Sequence, residues 1–270
     1  MPVIHNPVAI SLFGLSIRWY ALFILAGICV AVWMATLLAR RRGLDPEFLL
    51  DIAPWVVFSA IVGARAYYVL LRFNEMRANP SEMINIRLGG LTIHGALVGG
   101  MAVFAWFCWR RRQPFLVWAD LVIACVPIGQ AIGRWGNWAN QEAFGTPTTL
   151  PWAVHIDPRN RPAQYAQFSA FQPTFLYEGL IDLGIAALLI WIVLRAPGLS
   201  WHRAGDALAL YCILYGIGRF IIERNRTDSL YIGPLPAAYW LSWGLAVIGG
   251  AMLALLRVRR TVPQTNVMPE

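Results

Sequence analysis

Residues 115–142 read FLVWADLVIACVPIGQAI followed by GRWGNWANQE, and this stretch decides the class of protein. The first part is an apolar run close to the roughly 20 residues that a helix needs to cross a bilayer. The second part brings a permanent cation, Arg134, several carboxamides and a carboxylate, Glu142, directly after that run. A charge at the end of a membrane span is costly unless it is paired with an opposite charge or takes part in the function. The stretch therefore predicts a membrane helix that leads into a polar site, with a helix cap and a snorkelling Arg134 as the simpler alternative.

The composition supports a membrane protein. The chain is 58% hydrophobic and only 13% charged, whereas a soluble domain has about 25% charged residues. The net charge of +8 lies mostly in short arginine clusters between apolar runs. This pattern indicates the topology of a membrane protein and does not indicate binding to a nucleic acid. The four cysteines fall inside apolar runs without paired spacing, so we interpret them as core residues and expect no disulfide and no metal site.

Seven apolar runs have a length suited to membrane spans. They cover residues about 17–39, 48–72, 90–109, 115–133, 173–195, 205–224 and 236–256. Arginine clusters follow the first, third and seventh runs and flank the loop after the fifth, and all of these places lie on one side if the spans alternate. Short arginine-rich loops stay in the cytoplasm. The predicted fold is an all-α polytopic membrane protein with about seven transmembrane helices, its N-terminus outside and its C-terminus cytoplasmic.

The domain organisation follows from the same pattern. Residues 1–260 are predicted to form a single transmembrane domain whose first span is retained and is not a cleaved signal. The longest connection, residues about 134–172, contains four prolines and is predicted to be a small irregular extracytoplasmic head. Residues 261–270 are polar and are predicted to be a disordered cytoplasmic tail.

This topology brings scattered polar residues to one depth. Spans two, four and six run outward and carry an arginine toward their outer ends, whereas spans one, three and five begin outside with a polar residue near their starts. The residues are Arg65, Arg134, Arg219, Tyr20, His94 and Glu178, with Glu223 one turn after Arg219. Any one of them could be a structural ion pair or a packing contact. Intramembrane charges are rare and usually face a cavity, so the whole set predicts one polar site in the outer leaflet.

Three guanidiniums at the depth of lipid headgroups suit a phosphate, which arginine binds in bidentate fashion. The natural ligand would be a phospholipid headgroup. His94 is the preferred proton acceptor, because only histidine has an unperturbed pKa near neutrality. The sequence contains no recognisable serine or cysteine nucleophile motif, no histidine metal pair and no Walker loop. We therefore expect the nucleophile to come from a second substrate.

Several blocks of the chain resemble one family. They are IRWY at 17–20, GAR at 63–65, TIHG at 92–95, PTFLYE at 173–178, GRFIIE at 218–223 and RTD at 226–228. Residues 133–142 meet the signature Gly-Arg-x-Gly-Asn-x-x-Asn-x-Glu, with Gly145 after it. In this pattern the sequence resembles the bacterial prolipoprotein diacylglyceryl transferase family. It departs from the family where Gln172 replaces the usual histidine and Ala96 replaces a frequent glycine.

The resemblance implies a reaction and a set of site residues. The diacylglyceryl group of phosphatidylglycerol would move to the thiol of the lipobox cysteine in the signal peptide of an exported prolipoprotein, forming a thioether and releasing glycerol phosphate. The implied catalytic residues are His94, Arg134, Arg219, Glu142 and Tyr20. Phosphatidylglycerol would bind to Arg134, Asn137, Arg219 and Arg65, with Asn140, Gly145, Glu178 and Glu223 in support and Glu142 and Glu223 holding the arginines. No cofactor is required, and the expected location is the bacterial cytoplasmic membrane, with the site facing the outer leaflet of the bilayer.

Two other classes of protein fit part of the pattern. A lipid or anion transporter would need polar residues that continue toward the inner face, and Asp182 is the one candidate for such a step, although it could equally be a structural partner of an arginine. A non-catalytic membrane scaffold with a drifted signature is the other class. The joint presence of Arg134, Asn137, Glu142 and Arg219 argues against it.

Overall fold

The structure is a computed structural model that describes residues 1, 4, 6–12, 15–85, 89–200 and 202–258. The predicted tail at 261–270 lies outside these residues. The chain divides into two compact units, one made of Met1–Met34 with Ala119–Glu270 and the other of Ala35–Trp118. The single transmembrane domain over residues 1–260 stays a prediction.

The described residues form nine α-helices and six short strands. The helices are α1 (Trp19–Arg41), α2 (Glu47–Leu71), α3 (Phe73–Met76), α4 (Pro80–Ile84), α5 (Ile93–Arg110), α6 (Phe115–Asn140), α7 (Thr174–Arg195), α8 (Asp206–Glu223) and α9 (Ala237–Val258). The strands form three antiparallel pairs, β1 (Val8–Leu12) with β2 (Leu15–Arg18), β3 (Val154–His155) with β4 (Ala170–Phe171), and β5 (Tyr231–Ile232) with β6 (Leu235–Pro236).

Each predicted span coincides with one long helix. Five of them, α1, α2, α6, α7 with the turn after it, and α9, are long and apolar enough to cross a membrane. The other two, α5 and α8, have 18 residues each, and α8 contains the charged residues Asp206, Arg219 and Glu223. The protein is therefore a helical, multi-pass membrane protein, as the sequence predicts. The count of seven spans and their orientation stay predictions.

The fourth predicted span differs from the structure at its outer end. Helix α6 continues to Asn140, beyond the predicted end at about residue 133, so most of the GRWGNWANQE signature is helical. The helix ends where Gln141 and Ala143 take positive φ angles of 54° and 53°. The charge of Arg134 does not end the helix, because its side chain is paired with carboxylates inside the protein. The irregular segment therefore begins at residue 141.

In the unit Ala35–Trp118, helices α2 and α5 approach each other through glycines. A Cβ atom on Gly95 would collide with the carbonyl oxygen of Gly63, and one on Gly99 would collide with the carbonyl oxygen of Ser59. Only glycine lets two helix backbones come this close. Gly95 and Gly99, four residues apart, therefore form a helix-packing motif.

In the other unit, Gly129 of α6 makes the same kind of contact with α1. A Cβ atom on Gly27 would lie 2.7 Å from the carbonyl oxygen of Gly129. Gly133, by contrast, faces open space, since a Cβ atom added there would have no neighbouring atom within 4 Å. Gly129 therefore serves close helix packing, whereas Gly133 does not.

The segment 141–173 is irregular, as expected, but it has a small core of its own. Strands β3 and β4 pair antiparallel, and two 3-10 turns lie between them. The buried side chains of this core are Phe144, Val154, Ile156, Phe171 and Phe175. Since Phe175 belongs to the first turn of α7, this core attaches the segment to the start of that helix.

Candidate active site

Three helices bring polar residues to one shared surface. Residues four apart lie on the same face of an α-helix. Helix α6 contributes Gln130 and Arg134, α7 contributes Glu178 and Asp182, and α8 contributes Tyr211, Tyr215, Arg219 and Glu223. We call this set the polar seam. On α8 it extends from Tyr211 to Glu223, and the twelve steps between these residues correspond to about 18 Å of helix length.

Glu178 lies at the centre of the charged part of the seam. Its Oε1 atom accepts hydrogen bonds from Nη1 of Arg219 and Nη1 of Arg226, both at 3.0 Å. Its Oε2 atom lies 2.7 Å from Nη2 of Arg134. One buried carboxylate therefore contacts three guanidiniums, whose side chains are between 12% and 20% exposed.

Two more carboxylates complete one end of the cluster. Arg219 donates from Nη2 to Oε2 of Glu223 at 2.6 Å, one helical turn away, and this is the contact that the predicted support of an arginine by Glu223 requires. Arg226 binds Asp228 through two hydrogen bonds, Nε to Oδ1 at 3.0 Å and Nη2 to Oδ2 at 2.8 Å. Burial alone would lower the pKa of Arg226, but the carboxylates of Glu178 and Asp228 raise its pKa above the ordinary value. Arg226 therefore stays charged.

Arg226 is a site residue that was not among the predicted ones. It belongs to the RTD block on which the resemblance rests, yet no role was given to it. The available signal was its spacing, because it follows Glu223 by three residues, which is about one helical turn.

Asp182 lies one helical turn from Glu178 along α7 and is buried. Its Oδ2 atom lies 3.7 Å from Nε of Arg134. Of the two interpretations that the sequence left open, this contact favours Asp182 as the partner of an arginine over a step in a transport path.

The signature residues around Asn137 form a second polar group. Asn137 donates from Nδ2 to Oε1 of Glu142 at 2.9 Å, and Asn140 donates to the same oxygen at 3.4 Å. In the described contacts, Glu142 holds these two amides, in place of the guanidinium that the sequence predicts for it. The ring of Tyr20 covers Gly136, where a Cβ atom would lie 2.7 Å from Cδ2 of the ring. Glycine is required at this position because any side chain would displace the tyrosine.

Gly145 connects the irregular segment to Arg226. Its amide donates to the carbonyl of Gln172 at 2.8 Å, and it forms a β-bridge with Arg226. A Cβ atom on Gly145 would lie 2.8 Å from the carbonyl oxygen of Asn225. Because glycine has no side chain, the backbone that carries Arg226 can come close to Gly145. This close approach is a physical basis for the predicted supporting role of Gly145.

Arg65 lies in the unit Ala35–Trp118 and is buried. A guanidinium has five N–H groups, and Arg65 makes five hydrogen bonds to main-chain carbonyls. The acceptors are the carbonyl oxygens of Glu82, Met83, Asn85, Gly89 and Gly90. Its guanidinium carbon also lies 5.3 Å from the centre of the Tyr68 ring. The predicted binding of a phosphate by Arg65 is therefore replaced by a structural role in holding the connection between α4 and α5.

His94 lies in the same unit as Arg65, at the second residue of α5. Its side chain is exposed, and its ring centre lies 6.2 Å from that of Tyr67. This exposure makes the imidazole accessible to a reactant. Its predicted role as proton acceptor stays a prediction.

The arginine cluster is suited to holding an anion. Carboxylates fix the three guanidiniums in place, while each guanidinium has five donors in a planar fork and can bind more than one acceptor. Donors that are already oriented stabilise negative charge without reorganising when that charge develops. Among the described residues, no group of three or more His, Cys, Asp or Glu side chains could hold a metal ion.

The fold and the site together define a class, a multi-pass helical membrane protein with a buried cluster of arginines around one glutamate. The chain belongs to the prolipoprotein diacylglyceryl transferase family, whose model matches residues 7–255.

Curated relatives agree over nearly the whole chain. A protein of Trichormus variabilis is 43% identical over 267 residues, covering 98% of this chain and 95% of the relative. A Nostoc protein is 42% identical over 265 residues, covering 98% and 93% of the two chains. A protein of Finegoldia magna is 39% identical over 242 residues, covering 90% and 92%. Each of these relatives is named phosphatidylglycerol–prolipoprotein diacylglyceryl transferase.

Proposed function

We propose that this protein transfers the diacylglyceryl group of phosphatidylglycerol to the thiol of the lipobox cysteine in the signal peptide of a prolipoprotein. The family membership supports this reaction, and the names of the relatives specify the lipid and the protein substrate. The observation that carries the proposal is the contact of Arg134, Arg219 and Arg226 with the single carboxylate of Glu178.

The chemistry requires a nucleophile and a stabilised leaving group. The cysteine thiolate attacks the carbon of the diacylglyceryl group that bears the phosphate. A carbon–sulfur bond forms, and the carbon–oxygen bond between that carbon and the phosphate breaks. The electron pair of that bond leaves with glycerol phosphate, so negative charge grows on the phosphate oxygens. Guanidiniums that are already oriented by carboxylates lower the energy of this transition state. Arg134 and Arg219 are the residues to which we assign this role, and Glu178 keeps them in place.

Other residues take supporting or proton-transfer roles in this proposal. His94, whose exposed imidazole is accessible to a reactant, accepts the thiol proton as the general base. Asn137 and Tyr20 hydrogen-bond the phosphate or the glycerol hydroxyls of the headgroup. Glu142 orients Asn137, in line with the 2.9 Å hydrogen bond between them.

The proposal includes an orientation in the cytoplasmic membrane. Arginine clusters after the first and third spans favour a cytoplasmic location for those loops. We therefore assign seven spans, an outer N-terminus, a cytoplasmic C-terminus and an outer location for residues 141–173. The substrates fit this arrangement, since a lipobox cysteine and a lipid headgroup can meet at the outer leaflet.

A direct assay tests the function. The purified protein is mixed with phosphatidylglycerol and a lipobox peptide, and mass spectrometry measures the mass of a diacylglyceryl thioether on the peptide. A peptide with serine in place of the cysteine is the matched control, because its hydroxyl is a much weaker nucleophile. Wild-type protein that forms no thioether under conditions in which it stays folded would refute the proposed activity.

The variant Arg134→Lys tests the site in the same assay. Lysine keeps the charge but loses the planar fork that matches a phosphate. We expect a loss of about 2 kcal/mol or more in transition-state stabilisation, which is the scale for removing one oriented donor. Wild-type turnover of this variant would assign Arg134 to structure alone.

A further inference from the structure

A narrow cavity lies beside Arg134 within the polar seam. Its polar lining comes from Arg134, Glu178, Asp182, Tyr215 and Arg219, and its apolar lining includes Ile181 and Ile222. The cavity volume for the centre of a water-sized sphere is about 10 Å³. This volume is close to the minimum of about 10–15 Å³ that one buried water molecule needs.

Three buried atoms of the lining have no hydrogen-bond partner within the protein. They are Nε of Arg134, Oε2 of Glu178 and Oδ2 of Asp182. The distance of 3.7 Å between Nε and Oδ2 exceeds the usual limit of about 3.2 Å for a direct N–H···O hydrogen bond. Oε2 of Glu178 lies 2.7 Å from Nη2 of Arg134, close enough for an ion pair but without hydrogen-bond alignment.

The three atoms have complementary hydrogen-bonding character. Nε of Arg134 is a donor, and the two carboxylate oxygens are acceptors. A water molecule accepts one hydrogen bond from Nε–H and donates its two hydrogens to the two oxygens, which gives it the usual number of about three partners. An unsatisfied polar group inside a membrane protein is costly, so such a water stabilises all three residues.

We propose that this cavity binds one water molecule between Arg134, Glu178 and Asp182, and that Asp182 is through it a positioning residue for Arg134. The guanidinium is then held along two edges, at Nη2 by Glu178 and at Nε by the water and Asp182. A planar group held along two edges cannot rotate, so its other N–H donors keep a fixed direction. The consequence for turnover rests on the proposed transferase function, whereas the water site does not.

The first experiment concerns the water site itself and uses the wild-type protein. A high-resolution structure in a lipid environment is expected to show one ordered water within about 3.2 Å of Nε of Arg134 and of Oδ2 of Asp182. A direct hydrogen bond between these two atoms, with the cavity closed, would overturn the proposal. This measurement also decides the matter if no variant of Asp182 folds.

The second experiment uses Asp182→Asn, which keeps the shape of the side chain and removes its charge. Small misplacements of a catalytic group cost up to about 100-fold in rate, so we expect kcat to fall about 10-fold to 100-fold. The KM for phosphatidylglycerol is expected to change much less, because the oriented donors of Arg134 act mainly in the transition state. In an Arg134→Lys background, Asp182→Asn is expected to have little further effect, since Asp182 acts through the guanidinium.

Asp206→Asn is the matched control for the loss of a buried carboxylate. Asp206 begins α8, at the opposite end of that helix from Glu223, and accepts hydrogen bonds from Arg257 at 2.7 and 3.1 Å. This variant is expected to melt at a lower temperature while the folded enzyme keeps its kcat. Asp182→Asn is expected to show the reverse, a lower kcat in protein that remains folded.

The outcomes separate this inference from the proposed function. A wild-type protein that forms no thioether refutes the transferase proposal. The water site is then still tested by the high-resolution structure. An active wild-type enzyme together with a fully active Asp182→Asn variant refutes the positioning role alone. Rate losses of Asp182→Asn and Arg134→Lys that multiply in the double variant would also refute it, because independent effects multiply.

Discussion

Replacing Glu178 by glutamine removes the one negative charge that, among the described residues, contacts all three arginines. Glutamine keeps the size of the side chain, but one of its oxygens becomes an NH₂ group that donates hydrogen bonds and accepts none. At least one guanidinium then faces a donor where it had an acceptor. Arg219 keeps Glu223 and Arg226 keeps Asp228, so Arg134, left with Asp182 at 3.7 Å, loses the most.

The size of the effect follows from the burial of the cluster. Removing one partner of a buried ion pair costs about 3–5 kcal/mol, because the remaining charge is left without compensation. Each arginine retains a second carboxylate, so we expect the lower end of this range, about 3 kcal/mol in the free energy of unfolding. The rate of thioether formation should fall as well, because the guanidiniums lose their common anchor.

The measurement is reversible unfolding of the purified protein in mixed micelles, together with the thioether assay. Asp51→Asn serves as the control, since the ion pair of Asp51 with Arg111 has a similar length, 2.8 Å, but both side chains are about half exposed, at 51% and 46%. Such surface pairs contribute about 0–1 kcal/mol. If Glu178→Gln loses no more free energy of unfolding than Asp51→Asn does and retains full activity, the central role of Glu178 is wrong.

Three further predictions concern other parts of the molecule. If His94 is the base, His94→Gln should lose about 10²–10⁴-fold in rate at neutral pH and recover much of it as solvent generates the thiolate at higher pH, whereas a pH-independent loss would exclude that role. Gly136→Ala should destabilise the protein by about 1–3 kcal/mol, because the new methyl group collides with an aromatic ring of α1, while Gly133→Ala, which faces open space, should behave as wild type. Thr149→Cys should react with an impermeant thiol reagent in intact cells and Gln113→Cys should not, and the opposite labelling pattern would reverse the proposed orientation.

Much of the fold was predictable because membrane helices are encoded locally. A run of about 20 apolar residues must become a helix in a bilayer, where every backbone N–H and C=O group needs an internal partner. The long helices therefore lie where the apolar runs lie, with ends that differ by a few residues. The exception is α6, which extends through Arg134. This extension could not be predicted, because a local pattern does not reveal that a distant glutamate pairs with that charge.

Part of the site was predictable for a related reason. Residues at equal distances from the ends of neighbouring spans share a depth, and this rule groups Arg134, Arg219, Glu178 and Glu223 from the sequence alone. The same rule places Arg65 with them, yet its donors are used by carbonyl groups of its own unit. Depth is one coordinate of three, so it cannot tell which face a side chain occupies.

The class of protein, the approximate positions of the long helices and the family could be read from the sequence, since these depend on composition, on run length and on motifs that are contiguous in the chain. Only the tertiary structure decided which carboxylate holds which arginine. Glu178, and not Glu142, became the centre of the cluster, and Arg226 joined it from beyond the end of α8. An ion pair requires its atoms to meet within about 4 Å, and that depends on how three separate helices pack and rotate against one another.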